Sequence, residues 1–119
     1  MSGNIILVVE GKVKPGALDE FKTQMKTLVD TTKADEPDTL IYECYLADDN
    51  VNFEIYERYL NSAATLVHLN SYIEKFAEAF QTVGDTTKVT VYGAPDDAVK
   101  QILDGFGAIY VARLSGFQR

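Results

Sequence analysis

The chain of 119 residues has one cysteine, one histidine and no tryptophan, and these shortages limit its chemistry. A single thiol, Cys44, can form neither an internal disulfide nor a cysteine metal cluster. With His68 as the only histidine, the chain also lacks the ligand spacing of a zinc site. We therefore expect no metal site and no disulfide framework.

Basic residues are also in the minority. The chain has 11 Lys and Arg residues against 18 Asp and Glu residues, which gives a net charge of -7. Nucleic acids and anionic membranes attract basic patches. The composition therefore predicts that neither of them is a partner.

Long apolar runs are absent as well. The stretch MSGNIILVVEGKVK at the start has no basic beginning, and its apolar run is five residues long. A signal peptide needs an apolar core of about 7–15 residues, and a transmembrane helix needs about 20. We therefore expect a soluble cytoplasmic protein, and a hydrophobic content of 46% is sufficient for one folded domain.

Hydrophobic periodicity predicts six elements followed by a tail. Strands are predicted over residues 4–14, 39–47, 51–59 and 87–92, with helices over residues 17–33 and from residue 61 or 62 to the Gly84-Asp85 pair. The order strand, helix, strand, strand, helix, strand is the ferredoxin-like split βαβ pattern (βαββαβ) of the α+β class. Residues 1–94 would form this domain. Residues 95–119 would be a C-terminal extension, a short helix plus an extended segment (residues 108–114), packing on the same domain or on a dimer partner.

Alternation along the strands leaves apolar side chains on both faces of the predicted sheet. Two helices can cover only one of these faces. The uncovered face would carry Ile6, Val8, Ile41, Tyr45, Tyr56 and Tyr92. Because a contiguous apolar patch of this kind is unusual on a monomer, either the C-terminal tail or a second subunit should cover this face. We favour a homodimer packed sheet to sheet, with the tail embracing the partner.

The lone histidine lies on the second predicted helix. The apolar stripe of that helix comprises Leu66, Leu69, Ile73, Phe76 and Phe80. Helical spacing places His68 on the flank of the stripe, beside Tyr72 one turn later. Helix and strand rises place His68 above Glu57, which points to the helix-covered face. The three side chains could then form a polar cluster at the mouth of an apolar pocket, the usual description of a ligand site.

A structural role for the same three residues is the alternative. A single histidine on a helix flank is often a surface residue or a hydrogen-bonded structural residue. Glu57 could pair or cap at the end of its strand, and Tyr72 could be a core tyrosine with its hydroxyl in water. Residue positions alone leave both interpretations open.

Five segments, in this order and spacing, resemble the antibiotic biosynthesis monooxygenase family over residues 5–94. They are VVEGKVKPGALDEF (residues 8–21), EPDTLIYECY (residues 36–45), YERY (residues 56–59), AATLVH ending at His68, and VYGAP (residues 91–95). The ending GFGAIYVARLSGFQR looks like an extension carried by one branch of the family. The resemblance implies the dimeric α+β barrel arrangement, which agrees with a sheet that is apolar on both faces.

The better-known members of that family oxidise phenols or hydroquinones with molecular oxygen and use neither metal nor flavin. The resemblance therefore implies a small aromatic substrate together with O2, and no cofactor. By the same resemblance, His68 would be the catalytic base, Glu57 would orient it, and Tyr72 would hydrogen-bond the substrate oxygen. The residues expected to line the substrate pocket are Tyr42, Phe53 and Phe76.

Other functions stay open at this point. Haem degraders of the same family also place a histidine on the second helix, but they need a tryptophan there, and this chain has none. A non-enzymatic dimer that binds a small ligand or a partner protein is a second alternative, because fold does not fix function. RNA-binding and amino-acid-sensing domains share the topology, although the acidic charge disfavours RNA.

Overall fold

The computed structural model describes residues 3–119 and contains five strands and four helices in that range. The strands are β1 (Ile5–Val13), β2 (Thr39–Leu46), β3 (Asn52–Tyr59), β4 (Gly84–Tyr92) and β5 (Ile109–Val111). The helices are α1 (Leu18–Asp35), α2 (Ser62–Lys75), α3 (Ala77–Phe80) and α4 (Asp97–Asp104). The elements confirm the predicted α+β class and, apart from the one-turn helix α3, the predicted βαββαβ order.

The strands form one sheet in the order β2-β3-β1-β4-β5. β1 pairs antiparallel with β3 on one side and with β4 on the other, and β2 pairs antiparallel with β3. This is the ferredoxin-like arrangement that the sequence predicts. The C-terminal extension adds β5 parallel to β4, so the sheet is mixed, and only Ile109–Val111 of the predicted extended segment is strand.

Helix α1 packs on the sheet through Phe21, Met25 and Leu28, which recur at helical spacing and are buried. The helix ends at Asp35, about half a turn after the predicted end. The next residue, Glu36, leaves the helical conformation with φ -127°. Helical backbone is disfavoured immediately before a proline, and residue 37 is proline. This ending leaves Glu36 buried, with 6% of its surface exposed.

The second predicted helix is divided in the structure. Helix α2 ends one residue before Phe76, whose φ of -126° is not helical, and α3 adds a single separate turn. The predicted continuous stripe is therefore wrong at Ile73, which is 46% exposed, and at the break beside Phe76. The break allows Phe80 to pack on Phe21 and Phe53, with ring centroids 5.7 and 5.9 Å away.

Strand β4 begins at Gly84, three residues before the predicted start, so the Gly84-Asp85 pair opens a strand. Opposite this start, the register of β1 shifts next to Gly11. A Cβ atom on Gly11 would lie 2.5 Å from the carbonyl oxygen of Asp85 and would collide with the ring of Phe53. The close approach of the two strands therefore requires glycine at this position.

The hydrophobic core lies between the helices and one face of the sheet. One cluster joins α2 and α4 to the sheet through Ile5, Leu7, Tyr59, Ala64, Leu69, Val89, Val91, Val99 and Leu103. A second cluster joins α1 and α3 to the sheet through Val13, Phe21, Met25, Leu28, Phe53, Ile55, Phe80 and Val83. Val99 and Leu103 belong to the C-terminal extension, so part of the extension packs in the same core. The predicted boundary at residue 94 stays a prediction.

The other face of the sheet carries the apolar side chains that alternation predicts. Tyr45 is 57% exposed and Tyr92 is 42% exposed, whereas Ile6, Val8 and Tyr56 are half-buried. The chain after β5 passes beside this face, and together they enclose an open groove of about 950 Å³. The structure therefore leaves an apolar surface on the side of the sheet away from the helices.

Candidate acid–base site

Helix α2 places His68 in the interior rather than on the flank of the apolar stripe. The carboxamide oxygen of Asn61 caps the helix by accepting the backbone N–H of Ala64 at 2.9 Å. The buried side of the helix comprises Ala64, Thr65, His68 and Leu69. His68 is only 2% exposed. The predicted flank position is wrong because Ile73, a member of the predicted stripe, faces solvent, and the buried side of the helix is centred nearer to His68.

The closest partner of the imidazole is Glu36, which the sequence reading did not select. Nδ1 of His68 lies 2.9 Å from Oε1 of Glu36. The hydroxyl of Thr39 donates to the same carboxylate oxygen, also at 2.9 Å. An ionised carboxylate can only accept hydrogen bonds, so Nδ1 is the donor in this contact, and in the neutral form of the ring the lone pair is then on Nε2.

Glu57 lies on the other side of the imidazole, as the strand and helix rises predict. Its Oε1 atom is 3.9 Å from Nε2 of His68, which is an ion-pair distance but longer than a hydrogen bond. The hydroxyl of Tyr59 donates to the same oxygen at 2.5 Å. The imidazole is therefore oriented by its hydrogen bond to Glu36, whereas the sequence predicted that Glu57 would orient it.

The surroundings shift the pKa values of both Glu57 and His68. Burial raises the pKa of the Glu57 carboxyl, and the charge of His68 and the hydrogen bond from Tyr59 offset this only in part. Burial alone would lower the pKa of His68, but the hydrogen bond to Glu36 and the negative charges of both carboxylates raise it above 6.5. The imidazole is consequently a stronger base than a free histidine.

Three tyrosine rings surround the imidazole. The ring centroids of Tyr42, Tyr59 and Tyr72 lie 4.9, 5.4 and 6.4 Å from that of His68. Burial, followed by the charge of Glu57, raises the pKa of Tyr72 to about 12 and that of Tyr42 well above its usual value. Both hydroxyls therefore stay protonated at neutral pH and can donate hydrogen bonds.

A cavity of about 60 Å³ opens beside this cluster. Its walls are Leu7, Val9, Tyr42, Ile55, Glu57, His68, Leu69, Tyr72, Phe80, Thr86, Val89, Leu103 and Phe106. The walls are mostly apolar, and the polar groups converge at the imidazole. This combination of an apolar enclosure and a few directed polar groups is that of a small-molecule site.

The structure brings four of the six predicted site residues together at this cavity: His68, Glu57, Tyr72 and Tyr42. Phe53 and Phe76 are a correction, since neither forms part of its wall. Phe53 is 2% exposed and is packed among core residues. Phe76 lies at the break between α2 and α3, and Phe80 provides the aromatic wall instead.

The residues that the sequence reading missed are Glu36, Tyr59 and the extension residue Phe106. An available signal for Glu36 was its position before Pro37 at a helix end. Tyr59 is two residues after Glu57 and therefore shares the inward face of β3 with it. Nothing local in the sequence indicates that Phe106 reaches the cavity.

Two further searches concern metals and membranes. Across residues 3–119, no group of three or more His, Cys, Asp and Glu side chains is arranged to hold a metal ion. In the same part of the chain, no helix combines the length and the apolar character needed to cross a membrane.

The ferredoxin-like fold and the enclosed imidazole define a small α+β domain with a candidate acid–base site. A family model described as "Antibiotic biosynthesis monooxygenase" matches residues 4–82. The chain belongs to this family, as the sequence resemblance predicts. No curated protein sequence matches the chain.

Solved structures share the fold at low sequence identity. MupZ from Pseudomonas fluorescens superposes with a TM-score of 0.87 at 20% identity, over 100% of this chain and 91% of its own. SnoaB, a cofactor-independent oxygenase from Streptomyces nogalater solved as a mutant, superposes with a TM-score of 0.67 at 14% identity, over 80% of this chain and 96% of its own. A conserved protein from Methanosarcina mazei Go1 superposes with a TM-score of 0.67 at 19% identity, over 76% of this chain and 91% of its own. The match to MupZ thus includes the C-terminal extension.

Proposed function

We propose that this protein is a cofactor-independent monooxygenase that oxidises a small phenol or hydroquinone with O2. The observation that carries the proposal is the burial of His68 between two carboxylates at the wall of an apolar cavity. Buried ionisable groups are costly, and groups with displaced pKa values cluster at functional sites. Family membership supports oxygenase chemistry, and SnoaB, which shares the fold, is a cofactor-independent oxygenase.

The reaction needs no cofactor because an ionised phenol is itself an electron donor. Loss of the O–H proton makes the para carbon carbanion-like, and O2 forms a C–O bond there. Loss of the para C–H proton with cleavage of the O–O bond then releases water and leaves a para-quinone. A hydroquinone, whose para carbon bears a hydroxyl, reacts in the same way at a free ortho carbon and gives a hydroxyquinone and water. Phenol and O2 are thus converted into quinone and water, with four electrons passing from the substrate to oxygen. The protein needs only to remove a proton, hold the anion and exclude water.

In this proposal, Nε2 of the neutral His68 imidazole accepts the phenol proton. Glu36 accepts the hydrogen bond from Nδ1 at 2.9 Å, so that Nε2, on the opposite side of the ring, points away from Glu36. The negative charge of Glu57 stabilises the imidazolium that forms, at 3.9 Å from Nε2. Tyr72 donates a hydrogen bond to the phenolate oxygen, and Tyr42 forms the neighbouring wall. A hydrogen bond to an ionised oxygen is about twice as strong as one to a neutral oxygen, which favours the anion.

The proposal also includes a homodimer. Ile6, Val8 and Tyr56 form an apolar surface on the face of the sheet away from the helices. Beside it, Leu114 and Phe117 of the extension are 99% and 76% exposed. Burial of both regions against a second copy would remove an apolar patch of a kind that monomers rarely expose.

Oxygen consumption tests the proposed activity. A panel of phenols and hydroquinones is assayed with a chelator present and without flavin. We expect uptake of one O2 per substrate and a loss of about 100-fold or more in kcat/KM for His68→Ala, the usual contribution of a general base. Asn70→Ala is the control, because this residue is exposed on the same helix.

Three other results of these assays would change the proposed mechanism or function. Full activity in His68→Ala would remove the imidazole from the mechanism. Conversion of substrate under nitrogen would indicate proton transfer without oxidation. Ligand binding with no oxygen uptake would support a non-enzymatic binding protein of the same fold.

A further inference from the structure

The C-terminal extension contributes a wall to the cavity that contains His68. Leu103 and Phe106 are the extension residues in that wall, and Phe106 is 40% exposed. We propose that Phe106 is a specificity-determining residue that limits the size of the ring able to reach His68. The inference deepens the proposed function, on which its choice of a phenolic substrate rests.

The position of Phe106 follows from how helix α4 ends. The backbone N–H of Gly107 donates to the carbonyl of Asp104 at 3.1 Å, and that of Ala108 donates to the carbonyl of Leu103 at 3.3 Å. Gly107 has φ +71°. These two bonds and the left-handed glycine form a Schellman motif, with Phe106 as the last residue before the glycine. Since Leu103 is buried in the core at 1% exposure, the backbone that carries Phe106 is anchored.

The exposures of the wall residues locate the cavity mouth. Glu57 and His68 are buried, at 4% and 2% exposure. Thr86 and Phe106 are the exposed residues of the wall. In this proposal the cavity opens where these two exposed residues lie, so that a substrate approaching the imidazole passes the Phe106 ring.

The volume of the cavity makes this ring a size limit. A buried apolar cavity that binds benzene has about 150 Å³. The cavity here has about 60 Å³, so a single aromatic ring enters only if a wall side chain moves. Phe106 is half exposed and can change rotamer, whereas Leu7, Val89 and Leu103 are packed in the core. A flat aromatic wall also suits stacking on a planar substrate.

Binding measurements with two phenols of different size test this inference. Phenol and 1-naphthol are titrated into the wild-type protein and into Phe106→Ala by calorimetry. We expect the ratio of Kd values to shift in favour of 1-naphthol by about tenfold or more, since one methylene in an apolar pocket changes discrimination by about 10–200-fold. Benzene, which has no hydroxyl, is expected to bind measurably to Phe106→Ala only.

Two further variants complete the design. Phe106→Leu keeps an apolar side chain of intermediate size and should give an intermediate ratio, even if the alanine variant were poorly folded. Gln101→Ala is the control, because Gln101 is in the same extension, is exposed and does not line the cavity. It should bind like the wild-type protein.

The outcomes separate this inference from the proposed function. An unchanged Kd ratio in folded Phe106→Ala and Phe106→Leu, or an equal change in Gln101→Ala, would overturn the role of Phe106. Oxygen uptake that depends on His68 would still support the oxygenase in that case. Conversely, a gain of benzene and 1-naphthol binding in Phe106→Ala without any oxygen uptake would keep the size limit and remove the oxygenase.

Discussion

Glu36 and His68 are 32 residues apart in the chain, yet Oε1 of the carboxylate lies 2.9 Å from Nδ1 of the imidazole, and both side chains are buried. The end of α1 supplies one partner, and the inner side of α2 supplies the other. The pair fixes the tautomer of the histidine and raises its basicity. Removal of the charge of Glu36 should therefore change the pKa of His68 while the fold is kept.

Substitution Glu36→Gln is expected to lower the pKa of His68. The amide oxygen of glutamine can still accept the hydrogen bond from Nδ1, but the negative charge that favours the imidazolium is lost. Because His68 is the only histidine, its ring C–H resonance can be followed by NMR without ambiguity. Glu78→Gln, at an exposed position on α3, should leave the titration unchanged. An identical pKa in Glu36→Gln and wild type would show that the carboxylate does not set the proton affinity.

The stability of the protein should fall as pH rises from mildly acidic to alkaline. The pKa values of Glu57 and His68 are both raised in the folded state, so the folded chain binds more protons than the unfolded chain above about pH 4.5. The stabilisation from His68 is fully present below about pH 6.5 and is lost as pH passes its folded pKa. Urea unfolding at several pH values measures this slope.

The corresponding variants divide that slope between the two groups. His68→Gln should flatten the dependence above about pH 6.5, and Glu57→Gln should flatten its acidic part. A free energy of unfolding that increases with pH across this range in the wild-type protein would contradict the direction of both shifts.

Tyr59→Phe should destabilise the fold by about 1–3 kcal/mol, because it removes a hydrogen bond to a buried carboxylate. The Tyr59 hydroxyl donates to Glu57 at 2.5 Å, and Tyr59 has no exposed surface. A surface pair with the same spacing provides the control: the hydroxyl of Tyr45 donates to Glu43 at 2.9 Å, and Tyr45 is 57% exposed. Tyr45→Phe should have no measurable effect on chemical denaturation. Equal effects of the two substitutions would mean that burial of Glu57 is not what makes the bond important.

Val8→Asp should weaken self-association if the open face of the sheet is the dimer interface. The substitution places a carboxylate in the middle strand of the apolar surface, where burial against a second copy would leave it unpaired. Sedimentation over a dilution series measures the dissociation constant. Val67→Asp introduces the same charge on the exposed side of α2 and should leave association unchanged. A wild-type protein that is monomeric at micromolar concentration would remove the dimer from the proposal.

Much of the fold can be predicted because its signals are local. Period-2 alternation separates Ile5 and Leu7 from Ile6 and Val8 on opposite faces, and the structure has the same division. The adjacency of Glu57 and His68 follows from the rises of one strand and one helix. The divided second helix could not be predicted in this way, since the break at Phe76 contains neither glycine nor proline. Packing of Phe80 on the core accompanies the break, and such packing depends on distant residues.

The sequence by itself determined the order of strands and helices, the apolar character of both sheet faces and the approach of Glu57 to His68. These follow from repeat distances along short stretches of backbone. Only the tertiary structure decided that Glu36 holds the imidazole, that Phe80 lines the cavity where Phe53 and Phe76 do not, and that Phe106 of the extension reaches its wall. Those contacts join segments far apart in the chain, and their geometry depends on how the helices end and pack across the sheet.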